Sequence, residues 1–362
     1  MSGPKHVEIV LERGIGIAGY VAEHGESVML NDVRSDPRFD PSTDRRTGFL
    51  TKNMLCVPLR NPEGALLGSL QAINARPGKF TEADLAYLES FAALAAIAVE
   101  REQLAQEAVR AKLISTELNL AREIQQLLLP PPGHISLPQP FIAWGMSQPC
   151  YDVGGDTYDI IMLPSGECAF WVADVSGKGI GAALLMTTLQ TELRALVRLV
   201  GDLGQLAFEL NARVNKVAPL GTYATLFLGI ISAERERLRY LNAGHLPPVW
   251  VNSQSADERA FEPGGLPIGL LPGSAYEAGE VAFMPGERLA VFSDGVTDAA
   301  NTIGETFDAE RVSSTLAEVA SAQVVSAQAA DEIGTSFLAV LDDFRIGAPA
   351  QDDTTFLVIG LD

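Results

Sequence analysis

Five aspartates beyond residue 150 stand where apolar runs begin or end. Asp156 follows Val153-Gly154-Gly155, Asp174 closes Phe170-Trp171-Val172-Ala173, Asp294 closes Leu289-Ala290-Val291-Phe292-Ser293, and Asp352-Asp353 precede the run 356–359. A strand end is where a buried sheet returns the chain to solvent, so acids from several strands can meet in one cleft while the strands hold them rigidly. Carboxylates brought together repel, and without a cation one of them must keep a proton. A hard divalent ion removes that cost. Mg2+ or Mn2+ takes carboxylate, carbonyl and water oxygens, and the sequence has no His or Cys cluster for a softer metal.

Other residues compete for a chemical reading. Singly, an acid after an apolar run is most often a turn cap. Gly177-Lys178-Gly179-Ile180-Gly181 ahead of a helical stretch suggests a phosphate cradle, but the phosphate-binding loop needs Ser or Thr after its Lys, and here Gly follows. Those glycines are expected to turn the backbone tightly beside the acids. His245, in Asn242-Ala243-Gly244-His245, is a candidate general acid for a leaving alkoxide, set against a role as a hydrogen-bonding strut. Cys56, Cys150 and Cys168 form no CxxC pair and have no Arg at the offset of a Cys-x5-Arg nucleophile loop, so all three are expected to be buried as small apolar residues. Trp144, Trp171 and Trp250 lie in apolar runs and read as core.

Five segments occur in a particular order: Val153-Gly154-Gly155-Asp156 with Tyr158-Asp159, Ala173 through Gly179, Asn242 through His245, Phe292 through Asp298, and Gln351-Asp352-Asp353-Thr354-Thr355. In that order they resemble the SpoIIE/RsbU-type branch of the PP2C-like, metal-dependent Ser/Thr protein phosphatases. The resemblance covers 131–362, and Ala121-Arg122-Glu123-Ile124-Gln125 resembles the segment leading into such domains. It implies an antiparallel β-sandwich flanked by helices, holding two Mn2+ or Mg2+ ions. Asp174 would bridge the two metals, with the carbonyl of Val175 completing one of them. Asp294 and Asp352 would hold the second, Asp156 would orient metal-bound water, and Asp353 is a further candidate ligand. Such ions lower the pKa of a shared water and neutralise phosphoryl oxygens, so no covalent enzyme intermediate is needed. By the same resemblance the substrate is a phosphorylated STAS-type anti-sigma-factor antagonist. The rival reading is a pseudophosphatase that docks a phosphoprotein without hydrolysing it; the intact set Asp156, Asp174, Asp294 and Asp352 favours the enzyme. Two departures stand out, Thr157 where an aromatic is commoner and Phe307-Asp308 where Phe-Gly is frequent.

The elements that must position these acids follow from periodicity. Strand-like runs at 168–175, 224–231, 239–243, 289–292 and 355–361 alternate with helical stretches at 180–200, 203–216 and 309–345, which favours antiparallel sheets with helices outside them. Upstream, 82–129 lacks Gly and Pro and is rich in good helix formers. Thr81 with Asp84 makes a carboxylate capping box at its start, and Pro130-Pro131-Pro132 ends it. Leu85, Leu88, Ala92, Ala95 and Val99, then Val109, Leu113, Leu120, Ile124 and Leu127, follow a three-four spacing that Glu102 and Gln106 interrupt. A coiled-coil homodimer and a helix packed on its own domain are both compatible with it.

Before this helix, runs at 27–30, 54–59 and 66–73 with Asn61-Pro62-Glu63-Gly64 as a hairpin loop make a small α+β unit. Gly14 through Gly19, Asn31-Asp32-Val33, Asp36-Pro37-Arg38-Phe39, Val57-Pro58-Leu59 and Gly68 through Asn74 resemble a GAF ligand-sensing domain. The opening strands and helix of that family are expected to be missing. Asn74, Phe80 and Asp84 match part of a cyclic-nucleotide signature, but Phe80 reads as core and Asp84 as the helix cap. The expected organisation is a partial GAF α/β sensor at 1–100, a helical linker at 101–130 and the PP2C-like domain at 131–362, α+β overall.

Composition narrows the partners. The chain has 362 residues, 47% hydrophobic and 20% charged, enough to fold as two domains. A net charge of -20 repels phosphate backbones and anionic lipid, so no nucleic acid and no membrane partner is expected. The longest apolar stretch, 91–99, is too short to span a bilayer and the N-terminus has no signal-like run. A soluble cytoplasmic protein with reduced cysteines is the expectation.

Overall fold

The computed structural model describes residues 14–76, 78–252, 261–262, 264–322 and 329–362. The chain divides into two compact units, one ending at Ser115 and one beginning at Thr116. Residues 1–13 of the expected sensor lie outside the described residues.

In the first unit, helix α1 (Gly16–His24), strand β1 (Val28–Leu30), helix α2 (Ser42–Thr47), β2 (Met54–Arg60) and β3 (Leu66–Ile73) precede the long helix α3 (Glu82–Leu128). The strands form one antiparallel sheet in the order β1-β2-β3. The Asn61–Gly64 loop closes the β2–β3 hairpin through its own polar groups: Asn61 Oδ1 accepts from the Ala65 amide at 2.7 Å, and the Gly64 amide donates to the Asn61 carbonyl. Ile17, Val21, Val28, Val33, Met54 and Cys56 make a small core. The capping box is present, with Asp84 Oδ2 accepting from the Thr81 amide at 2.8 Å. Asn74 spends its amide on Lys52 N and Leu50 O, and Phe80 is only half-buried. Of the apolar spacing on α3, Ala92 is buried and Leu85, Leu88 and Ala95 are half-buried, whereas Val109 and Leu113 are exposed.

The second unit starts with the end of α3 and continues through β4 (Gly133–Ile135), β5 (Phe141–Gln148), β6 (Thr157–Met162), β7 (Cys168–Val175), α4 (Ile180–Leu199), α5 (Leu203–Val214), β8 (Ala224–Ser232), β9 (Arg237–Ala243), β10 (Val249–Asn252), β11 (Gly279–Ala282), β12 (Arg288–Phe292), the single turn α6 (Asp294–Thr297), α7 (Asp308–Ala322), α8 (Ala329–Arg345) and β13 (Thr354–Leu361). Two five-stranded sheets have the orders β10-β12-β13-β5-β4 and β11-β9-β8-β7-β6, and every pairing is antiparallel. Continuous apolar runs are explained by burial on both strand faces. Along β7, Phe170 and Val172 point between the sheets with Phe227, Leu289 and Leu357, while Trp171, Ala173 and Val175 face Leu185, Leu189, Leu193 and Leu206 of α4 and α5. On the other side Phe356 and Val358 of β13 meet Val312, Leu316, Ile333 and Phe337 of α7 and α8. Each such fully buried side chain contributes about 1.5–3 kcal/mol. The helical stretch expected over 309–345 is described as α7 and α8, with 323–328 outside the described residues. No helix among the described residues is long and apolar enough to cross a membrane.

Candidate active site

Register brings the first two acids face to face. Thr157 of β6 pairs with Ala173 of β7, so one step beyond that pair Asp156 stands across from Asp174. Asp174 in turn pairs with Thr225 of β8. In the other sheet Phe292 pairs with Phe356; beyond them the Ser293 amide donates to the Thr355 carbonyl at 3.0 Å, and the chain enters α6 at Asp294. The turn lies against the strap 352–353 so closely that a Cβ on Gly295 would sit 1.9 Å from the Asp353 carbonyl oxygen. Only glycine fits there.

Asp353 is committed elsewhere than its neighbour. Its buried carboxylate accepts from the Cys150 amide at 2.8 Å and the Gly155 amide at 2.6 Å, fixing the loop that carries Asp156. A Cβ on Gly154 would fall 2.5 Å from Asp353 Oδ2, so the Gly-Gly pair lets this carboxylate reach the backbone. Asp352 Oδ2 lies 3.0 Å from Lys178 Nζ. The Val175 carbonyl is packed against Gly155.

Electrostatics shows that these acids share one space. Burial, then the charge of Asp174, pushes the Asp156 carboxyl well above the ordinary range, against the hydroxyls of Ser293 and Thr355. Burial, then Asp294, raises Asp174 to about 7, with Asp352 and Asp353 adding to the effect. Asp294 is raised by burial and then by Asp352. Asp156 Oδ2 is buried with no hydrogen-bond partner. A buried, unpaired carboxylate oxygen facing further acids costs several kcal/mol unless a proton or a cation answers it. The donor set is all oxygen, and it fits a hard divalent ion. Cys150 Sγ lies within 4.8 Å of carboxylate oxygens of Asp352 and Asp353. Among the described residues this trio is close enough to hold a metal ion, although amides already occupy Asp353 and burial, with Asp353's charge, pushes the Cys150 thiol up.

Asp156 thus feels Asp174 and Asp353, Asp174 feels Asp294, Asp352 and Asp353, and Asp294 feels Asp352, while Asp353 also anchors the loop through its two amide partners. His245 is enclosed. Its Nδ1 lies 2.7 Å from Thr225 Oγ1, its amide donates to Asn242 Oδ1 at 2.8 Å, and burial lowers its pKa to about 4. This neutral ring braces the residue opposite Asp174, the strut geometry rather than that of an acid open to substrate. Cys56 and Cys168 are buried as expected; Cys150 is only half-buried, at the edge of the acids. Trp144 and Trp171 are core, and Trp250, partly buried, packs at a tilt against Phe261 and Phe283.

In the sequence Gln125 is named only as part of the segment leading into the domain, with no role of its own. On the last turns of α3 its side-chain amide bonds Gly154 twice, Nε2 to the carbonyl at 2.7 Å and Oε1 from the amide at 3.0 Å, two residues before Asp156. Arg122, one turn earlier, donates to the carbonyls of Tyr151 and Asp152. Gln190 of α4 joins Thr157, Trp171, Asp159 and the Leu128 carbonyl in one buried network. A polar residue on an otherwise exposed helix was the available signal.

Residues 164–362, more than half of the chain, match the family described as Stage II sporulation protein E (SpoIIE), and residues 2–99 match the GAF domain. Protein IcfG of Synechocystis sp. is 31% identical over 229 residues, covering 55% of this chain and 35% of that protein. The dual 3',5'-cyclic-AMP and -GMP phosphodiesterase 11A of Takifugu rubripes is 42% identical over 99 residues, 27% of this chain and 11% of that one. The chain therefore spans about a third of the first relative and about a ninth of the second. Among solved structures, the SiaA-PP2C domain of Pseudomonas aeruginosa superposes with a TM-score of 0.58 at 23% identity, covering 70% of this chain and 99% of that chain. The RsbU and RsbW domains of a Mycobacterium tuberculosis protein give 0.52 at 22%, covering 64% and 61%. Both likenesses are of fold, a PP2C-type one, and with the matched segments they lead to one conclusion: the chain belongs to the family described as Stage II sporulation protein E (SpoIIE) and carries a GAF domain within residues 2–99.

Proposed function

We propose that the chain hydrolyses phosphoserine or phosphothreonine on a partner protein, a STAS-type anti-sigma-factor antagonist, using two Mn2+ or Mg2+ ions. The observation that carries this reading is a run of coupled acids, Asp156 acting with Asp174 and Asp174 with Asp294 and Asp352, that ends on the buried Asp156 Oδ2 without a hydrogen-bond partner. Bound divalent ions would supply an activated water and charge neutralisation for the phosphoryl oxygens. Asp174, from the end of β7, would bridge the ions, with the Val175 carbonyl beside it; Asp294 and Asp352 would hold the second ion, and Asp156 would orient the attacking water. Asp353 serves by fixing the Asp156 loop, and His245 by holding Thr225 behind Asp174.

The same reading assigns 1–100 to sensing, 101–130 to the linker and 131–362 to catalysis. The sensor acts through the linker helix, because Arg122 and Gln125 hold the backbone of the 151–154 loop. A homodimer forms through that helix: Leu113, Leu120 and Leu127 stay 61%, 57% and 83% exposed, a face that a second copy would cover. Hydrolysis of p-nitrophenyl phosphate and of a phosphorylated STAS protein, with and without Mn2+, tests the function. Metal-dependent phosphate release is expected; binding of the phosphoprotein without release at any Mn2+ concentration would make the chain a docking module.

A further inference from the structure

Lys178 sits on the loop between Asp174 and helix α4, flanked by Gly177 and Gly179 with φ of +93° and +78°. Its ammonium donates to the Gln351 carbonyl and pairs with Asp352 Oδ2 at 3.0 Å, and its charge also eases Asp294. The chain thus places a cation of its own on an acid assigned above to a metal. Both flanking glycines have open space where a Cβ would stand, so the loop is not wedged in place by packing at those positions. The pair is partly open to solvent, with side-chain exposures of 42% for Lys178 and 35% for Asp352.

We infer that Lys178 is a tethered counter-ion that competes with a divalent metal for Asp352 and so sets the metal affinity of the site. Physically, one ammonium cannot answer four acids as two divalent ions do, but it can hold one of them against entry. An ion binding Asp352 must displace Lys178 from that oxygen or bind beside its positive charge, and either weakens binding. The same contact stabilises the metal-free protein, since it relieves the repulsion of Asp352 with Asp174 and Asp294. Removing the charge should therefore tighten metal binding and destabilise the metal-free fold, opposite signs that a plain loop-supporting role does not produce.

This inference rests on the metal-dependent reading proposed above, and the test separates the two. Free Mn2+ is counted by electron paramagnetic resonance in titrations of the full chain without substrate, for wild type, Lys178→Gln and Lys178→Arg, beside thermal melts in chelator. Lys178→Gln should bind Mn2+ about three- to tenfold more tightly and melt lower in chelator, while Lys178→Arg stays within about twofold of wild type. Unchanged or weaker Mn2+ binding by Lys178→Gln, or an unchanged chelator melt, overturns the inference and leaves the metal site standing. A wild type that binds no Mn2+ at all overturns both.

Discussion

Replacing Asp174 by Asn keeps the size and one acceptor oxygen and removes the charge that would let one side chain bridge two cations. In the metal-free protein Asp174 titrates near 7 instead of an ordinary 3.8, chiefly through burial and then Asp294. At about 1.36 kcal/mol per decade, holding it ionised in the fold costs at most about 4 kcal/mol. Coupling to Asp156 and residual solvent contact reduce this to about 1–3 kcal/mol. The sign follows from the raised value: the penalty is absent below the unfolded pKa, grows as pH rises above about 4 and is complete above about 7. Asp174→Asn should therefore melt about 3–10 °C higher than wild type in chelator at pH 8, with the gap closing towards pH 4. Phosphate release at saturating Mn2+ should fall by at least about a hundredfold. Differential scanning calorimetry in chelator and a phosphate-release assay read the two effects. Near wild-type turnover would refute the bridging role, and a lower melting temperature in chelator would mean that Asp174 is a structural carboxylate.

Other consequences follow from the same geometry. Gln125→Leu removes both hydrogen bonds to Gly154 and should raise the Mn2+ concentration for half activity several-fold more than it lowers the rate at saturation; an unchanged Mn2+ midpoint would uncouple the linker helix from the Asp156 loop. Gly295→Ala forces a Cβ onto the Asp353 carbonyl and should cost about 1–3 kcal/mol of stability, measured by urea unfolding, with near-wild-type stability refuting the close approach. Leu113→Lys with Leu120→Lys should convert a dimer to a monomer in light scattering while leaving p-nitrophenyl phosphate hydrolysis within about twofold. A wild-type monomer at micromolar concentration would remove the dimer from the account.

The acids were legible because each stands at one end of a buried strand, Asp174 and Asp294 at the close of β7 and β12 and Asp156 and Asp352 just ahead of β6 and β13, where a continuous apolar run meets a charge. The boundaries of α3 were legible for a local reason too, since Thr81 with Asp84 and the prolines at 130–132 act within one turn of the helix ends. What sequence could not show is how distant residues pair. Asp352 and Asp353 are adjacent and chemically identical, yet one meets Lys178 and the other the amides of Cys150 and Gly155, about two hundred positions away. Gln125 reads as one more polar residue on an exposed helix until its partner Gly154 is in place. His245 looks like an acid-base candidate by type, and only enclosure beside Thr225 makes it a brace.

The central claim is that Asp156, Asp174, Asp294 and Asp352 form a divalent-metal centre. Anomalous diffraction from crystals of the protein grown with Mn2+ tests it most directly. Manganese peaks are expected among those four carboxylates, with the Val175 carbonyl in the coordination sphere. Peaks at Cys150 and Asp353 alone, or none at saturating Mn2+, would contradict it.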